Sequence, residues 1–216
     1  MSLSITIAGE SLELLSAKAL HWPRRKTLFI ADPHWGKAAA FRAAGIAVSL
    51  DPLAADLERL GGLLHSTGAS QLVILGDLFH AKSGRSLPVL DTITAWRAKY
   101  AEIEVQLIRG NHDRAAGDPP TDWRFECRAE PVIEPPFALK HFPGEIRGFY
   151  TLAGHLHPAF TLRGSARQRL RFPCFHFRMT SAILPAFGSF TGTAHITPAS
   201  GERIFVVVDG EVIEVN

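Results

Sequence analysis

The chain has 216 residues, 46% hydrophobic and 20% charged, with a formal net charge of +2. That length allows one domain or two very small ones, and that composition excludes a largely disordered chain. A charge so close to balance excludes an overall basic field, so any affinity for a polyanion must be local.

The first half alternates strands and helices. Residues 4–20 read as one or two short strands, and TLFIAD at 27–32 as a buried strand. Residues 51–66 place apolar side chains at 53, 57, 60, 63 and 64, which is helical spacing. Asp51 followed by Pro52 supplies an N-cap and a proline at the first helical position. QLVILGD at 71–77 reads as a second buried strand, 88–100 as a second helix and IEVQLIRG at 103–110 as a third strand. The second half is strand-like at 137–142, 148–153, 168–178, 180–187 and 203–215, with little helical pattern. An α/β half followed by a β-rich half implies two sheets packed together, each with an outer layer. No linker or repeat divides them, so residues 1–216 are expected to form a single domain.

No apolar run reaches the length of a membrane span, and MSLSITIAGESLELL lacks the basic start of a secretory signal. Cys127 and Cys174 sit in no paired motif, which fits two reduced thiols in a cytoplasmic protein.

The histidines and aspartates cluster just past the strand ends, where loops of α/β proteins carry function. Asp32-Pro33-His34 follows the first buried strand, Gly76-Asp77-Leu78-Phe79-His80 the second and Gly110-Asn111-His112-Asp113 the third. His141 and Gly154-His155-Leu156-His157 follow strands of the second half. Residues two apart in an extended segment point the same way, so Asp32 and His34 can address one point, with Pro33 biasing Asp32 toward extended geometry. His155 and His157 share that spacing. Gly76, Gly110 and Gly154 each precede a candidate and let the backbone turn sharply. Carboxylate, amide and imidazole donors without cysteine suit Mn²⁺, Fe or Zn²⁺ bound for catalysis. An aspartate can bridge two ions about 3.5–4 Å apart, the clamp used for in-line displacement at phosphorus.

DPH, GDLFH, GNHD, the lone histidine and GHLH, spread over residues 32–157, resemble the motifs of the calcineurin-like metallophosphoesterases. The resemblance implies an α/β fold of two packed mixed β-sheets flanked by helices, an α+β sandwich, with a dinuclear centre. It would place Asp32, His34, Asp77 and His157 on one metal, and Asp77, Asn111, His141 and His155 on the other. His112 would lie near the substrate without binding metal, and a metal-activated water or hydroxide would attack phosphorus. DPHWGKAAAFRAAGIAV at 32–48, HLHP at 155–158 and LPAFGSFTG at 184–192 narrow the likeness. They resemble the bacterial ligase-associated DNA damage response endonuclease/phosphodiesterase family. That implies two divalent ions, with Mn²⁺ first, and a phosphodiester substrate, DNA, cut in repair. It also implies functional association with a DNA ligase and a helicase.

Several residues carry two readings. His176 in PCFHF competes with His141 as the lone-histidine ligand. His80 is either a second catalytic imidazole facing the phosphate or a loop histidine held by a backbone carbonyl. Asp113 either orients His112 or caps its loop. Lys37 is a phosphate contact or a solvated helix residue, and Trp35 is core or pocket wall rather than a base-stacking platform. Arg167, Arg169 and Arg171 alternate within a segment that also holds Arg163 and Arg178 and no acid. They present either a solvated face or a rim that grips nucleic-acid backbone. His21, His65 and His195 read as structural or surface residues. A phosphomonoesterase or nucleotide pyrophosphohydrolase on the same centre, and a scaffold that has lost catalysis, are the rival functions.

Overall fold

The structure is a computed structural model describing residues 2–48, 52–163 and 168–215. Asp51 and Arg167 lie outside the described residues. In chain order the first half forms β1 (Ser2–Ile7), β2 (Glu10–Leu15), β3 (Ala19–Trp22), β4 (Thr27–Ile30), α1 (Lys37–Ala43), α2 (Leu53–Thr67), β5 (Gln71–Ile74), α3 (Leu87–Lys99), β6 (Glu104–Ile108), α4 (Asn111–Ala116) and β7 (Phe125–Arg128). The second half forms β8 (Val132–Glu134), β9 (Phe137–Leu139), β10 (Tyr150–Ala153), β11 (Pro158–Arg163), β12 (Arg169–Phe177), β13 (Ser181–Ile183), β14 (Ala194–His195), β15 (Arg203–Val208) and β16 (Glu211–Val215).

The first sheet runs β1-β2-β3-β4-β5-β6-β7, antiparallel as far as β4 and parallel from there. The second runs β14-β11-β12-β13-β10-β9-β8, with β15 added to β12 and β16 to β15. The parallel strands β4, β5 and β6 are near-continuous apolar runs because both of their faces are covered. Leu28, Ile30, Leu72, Ile74, Val105 and Leu107 join one core with α2 and α3 residues Leu57, Leu60 and Ile93. The intervening Phe29, Val73, Leu75 and Ile108 turn to a second core shared with Phe137, Leu152, Phe175 and Phe205 of the other sheet. That second core glues the two sheets together.

The two mixed sheets and few helices match the expected sandwich, with differences in detail. Among the described residues no α-helix follows Ala116. The outer face of the second sheet carries no helical layer; a small cluster of Cys174, Ile204 and Val206 is covered there by Phe160, Phe172 and Val215. Residues 2–22 form three strands rather than one or two, and β7, β8, β11 and β14 are additional to the strands that the sequence pattern predicts. The 203–215 run is a hairpin turned by Asp209 and Gly210, both at positive φ, a DG turn of the kind that matches strand twist. At α2, Pro52 is the N-cap itself rather than the first helical residue. The helices α1 and α4 have seven and six residues, too few for an amphipathic period to show.

Candidate metal centre

The loops after β4, β5, β6, β9 and β10 converge where the two sheets meet, close to a parallel bridge from Ala31 to Ala186. They bring Asp32, His34, Asp77, Asn111, His141, His155 and His157 together. Asp32, His34, Asp77 and His141 are buried. Asp32, His34 and His157 offer one donor atom each within 4.8 Å of one another, and Asp77, His141 and His155 form a second such group. Asn111 adds its amide oxygen to the second, 3.1 Å from His141 Nε2. Asp77 faces both, with Oδ2 3.9 Å from His34 Nε2 and Oδ1 3.5 Å from His141 Nε2. His155 and His157, despite their spacing, address different groups.

Backbone geometry departs from the sequence expectation. Asp32 and His34 are not extended: their φ angles are 51° and 46°, and Asp77, His155 and His157 also lie at 55°, 71° and 47°. Five of the seven donors thus sit in the left-handed region, at about 1–2 kcal/mol each for a residue with a Cβ. Such strain persists where the surroundings over-determine it, and it clusters at functional sites. Each of these residues turns the chain off its strand so that the side chain points into the junction.

The glycines act mostly through space. Gly76 does turn, at φ 87°, and a Cβ on it would also lie 2.1 Å from His141 Nδ1. Gly110 and Gly154 have no positive φ; a Cβ would fall 2.2 Å from Asp77 Oδ1 in one case and 2.7 Å from Asp32 Oδ2 in the other. They keep room for the carboxylates rather than bend the chain.

Backbone carbonyls set the imidazole tautomers. His141 Nδ1–H donates to Leu75 O at 3.0 Å, and His157 Nδ1–H donates to Gly192 O at 3.1 Å. Each Nε2 is left as a lone pair, the arrangement usual for metal-binding histidines. Those lone pairs meet oxygen acceptors: His157 Nε2 lies 3.6 Å from Asp32 Oδ1, and His141 Nε2 lies 3.1 Å from Asn111 Oδ1 and 3.5 Å from Asp77 Oδ1. Asp32 Oδ1 is buried without a hydrogen-bond partner among the described residues. Acceptors facing acceptors around two buried carboxylates are costly unless a cation lies among them, so the donor set fits divalent metal. Burial, followed by the neighbouring His157, His112 and His80 rings, holds His34 far below the usual histidine range and therefore neutral. Burial also raises Asp77, against the pull of His141.

His176 takes no part in this centre. It is buried on β12 and bonds Glu202 at 2.8 Å. His141 is instead positioned by Glu130, whose carboxylate accepts from the backbone N–H groups of His141 and Phe142 at 2.7 and 3.0 Å. Asp113 does not orient His112. Its two oxygens accept from the backbone N–H groups of Asp77, Gly110 and Leu78 at 2.8, 2.8 and 2.9 Å, so it ties the Asp77 loop to the Asn111 loop. His112 is oriented by the carbonyl of His80, to which its Nδ1–H donates. Its Nε2 then faces the centre, 3.9 Å from Asp77 Oδ2. His80 stacks on His112 with ring centroids 5.1 Å apart; among the described residues no carbonyl holds its ring, and its buried Nδ1 has no hydrogen-bond partner. Burial, then the charges of Lys37 and His112, push its pKa down to about 4.

Lys37 opens α1, and its ammonium lies 5.8 and 5.9 Å from the ring centroids of Phe41 and Phe190. Those rings meet edge-on at 5.5 Å, and Phe41 also touches His80. Sequence reasoning missed this aromatic lip, although LPAFGSFTG contains Phe190. It missed as well how that segment is anchored: Asp56 accepts from the backbone N–H of Ser189 at 2.9 Å and from its hydroxyl, and Arg59 holds Phe187 O. Trp35 is core, at 2% exposure. Arg169 and Arg171 lie on β12, exposed and outside this cluster of donors.

Residues 25–182 match the family described as calcineurin-like phosphoesterase. Among solved structures, the crystal structure of Pseudomonas putida nuclease MPE is 42% identical, with a TM-score of 0.88 and 100% of each chain covered. Yfce, a phosphoesterase from E. coli, is 17% identical over 88% of this chain and 97% of its own, with a TM-score of 0.44. No curated protein matches. Among the described residues no helix is long and apolar enough to cross a membrane.

Proposed function

The chain belongs to the calcineurin-like phosphoesterase family and is a metal-dependent phosphoester hydrolase, and from that premise we propose that it cleaves the phosphodiester backbone of DNA at a dinuclear centre. Asp32, His34, Asp77 and His157 would hold one ion and Asp77, Asn111, His141 and His155 the other, with Asp77 shared. Divalent ions, Mn²⁺ before Fe or Zn²⁺, supply an activated water and positive charge on the phosphoryl oxygens when bound. The observation that carries the reading is the two donor groups meeting at Asp77, with lone pairs aimed inward.

The remaining residues divide the work on the substrate. His112 turns Nε2 to the centre because its Nδ1–H is committed to His80 O; in the doubly protonated ring Nε2–H would pass its proton to the leaving oxygen, and the ring would return to neutral with Nδ1–H retained. His80, kept neutral by burial and by Lys37, stands beside it and hydrogen-bonds a phosphoryl oxygen. Lys37 adds a charge that favours the anionic ester. Phe41 and Phe190 seat a flat leaving group, an aryl ring or a nucleobase. The likeness to a nuclease over the full chain supports nucleic acid as substrate. The motifs shared with ligase-associated endonucleases support a role in cytoplasmic DNA repair alongside a ligase and a helicase.

The test is hydrolysis by Mn²⁺-reconstituted protein of a bis-aryl phosphate diester, the aryl monoester and plasmid DNA. The diester should outpace the monoester and the DNA should be cut. Faster monoester turnover with intact DNA would establish a phosphomonoesterase, and no turnover of any ester would leave a scaffold.

A further inference from the structure

Beside the metal centre lies an open groove of about 570 Å³ lined by Phe160, Thr161, Arg163, Arg169, Arg171 and the 195–198 segment. We propose that it holds the sugar-phosphate backbone of the substrate strand flanking the scissile bond, so that the enzyme reads substrate length as well as the ester itself. This rests on the nucleic-acid reading above.

The register of β11 on β12 builds the groove. Thr161 pairs with Arg171 and Arg163 with Arg169. Residues directly opposite one another on neighbouring strands project to the same side of the sheet, as do residues two apart along a strand. Two strands therefore carry three guanidinium groups and a hydroxyl on one face. The parallel pairing of β14 on β11 sets His195 opposite Ala159, and His195 Nδ1 lies 3.3 Å from Thr161 Oγ1. Phe160 stacks on His195 with planes 25° apart, adding a flat aromatic surface of the kind on which bases stack.

Charge is uncompensated here. No acid lines the groove, and Arg163, Arg169 and Arg171 are exposed and form no ion pair with a described residue. Several arginines elsewhere are instead committed to acids: Arg24 to Glu10, Arg59 to Asp56, Arg109 to Asp118, Arg203 to Glu214. A free phosphate needs one such group. Arg169 and Arg171 stand one two-residue step, about 7 Å, apart along β12, with Arg163 directly across from Arg169, and three such groups suit successive phosphates of a chain.

Position ties the groove to the centre. β11 starts at Pro158, directly after His157, and the carbonyl of His157 accepts from Ala194 N–H at 3.0 Å where β14 begins. From Pro158 to Arg163 the strand runs about 17 Å. A strand with its scissile phosphate at the metals would thus lay its next nucleotides over the arginines.

The test compares the wild type with the Arg163→Gln, Arg169→Gln, Arg171→Gln triple variant. Binding of a fluorescein-labelled 20-mer is followed by anisotropy in EDTA across a salt series, so that affinity is read without turnover. Loss of up to three phosphate contacts should flatten the log K against log salt slope by about 2 to 3 and weaken binding at least about tenfold at low salt. The corresponding triple lysine variant should keep the wild-type slope. With Mn²⁺, the glutamine variant should lose kcat/KM on the 20-mer but not on a dinucleotide too short to reach the groove. An active glutamine variant with unchanged slope and unchanged length dependence overturns the groove and leaves the nuclease reading standing. A wild type that binds the 20-mer with the predicted slope but cuts no diester overturns the nuclease reading instead.

Discussion

Replacing Asp113 tests how the two loops that bear Asp77 and Asn111 are held in register. Its carboxylate is buried and accepts from three backbone N–H groups, those of Asp77, Leu78 and Gly110. Asp113→Ala removes all three acceptors and leaves three donors facing apolar surroundings. Each orphaned buried donor costs about 1–3 kcal/mol. The three share one loop junction and relax together, so the total should be about 3–6 kcal/mol, a large part of the roughly 5–15 kcal/mol net stability of a domain. Asp113→Asn is milder, because its amide oxygen can take the place of Oδ2, which serves Asp77 and Gly110, and only the Leu78 N–H faces an amine. Its cost should be about 1–3 kcal/mol. Urea denaturation of the metal-free proteins measures this. With a slope of about 2–3 kcal/mol per molar for a chain of this size, the alanine midpoint should fall by roughly 1–3 M, with the asparagine variant between it and the wild type. An alanine variant within about 1 kcal/mol of the wild type would refute the clamp.

His155→Ala and His157→Ala should each bind one Mn²⁺ fewer than the wild type by calorimetry, and Asp77→Ala should lose both; unchanged stoichiometry in both histidine variants would dissolve the two-group assignment. His112→Ala should lower kcat on the aryl diester by about 10²–10⁴-fold with Mn²⁺ stoichiometry intact, and loss of metal would instead make His112 a ligand. Lys18, which donates to Gly188 O at 3.4 Å, is pushed down to about 8 by burial, then by the charge of Arg59. The unfolded chain therefore binds more protons between pH 8 and about 10.5, so stability should rise with pH across that window, by up to about 3 kcal/mol before solvent screening. Lys18→Met should abolish the rise, and a variant that retains it would locate the titration elsewhere.

The parts of this protein most legible in its sequence are those that depend on neighbours along the chain. Apolar runs at 27–30, 71–74 and 104–108 announce buried strands because both faces must be covered. Leu53, Leu57, Leu60 and Leu64 announce α2 by their period. Asp32, His34, Asp77, Asn111, His141, His155 and His157 stand out because metal-binding side chains recur just after apolar strands. The hairpin at Asp209-Gly210 is equally legible from its turn dipeptide. Local pattern could not tell which donors face which. His155 and His157 have the spacing of a pair, yet left-handed backbone at both sends them to opposite groups. Nor could it tell that Gly110 and Gly154 are needed for the carboxylates of Asp77 and Asp32, since those contacts span 33 and 122 positions. The tautomers of His141 and His157 are chosen by carbonyls of Leu75 and Gly192, more than 30 residues away. Arg163 joins Arg169 and Arg171 only through the β11–β12 register. Identity and periodicity are properties of the chain, but convergence is decided by strand pairing between distant segments, where a shift of one residue turns every side chain to the other face.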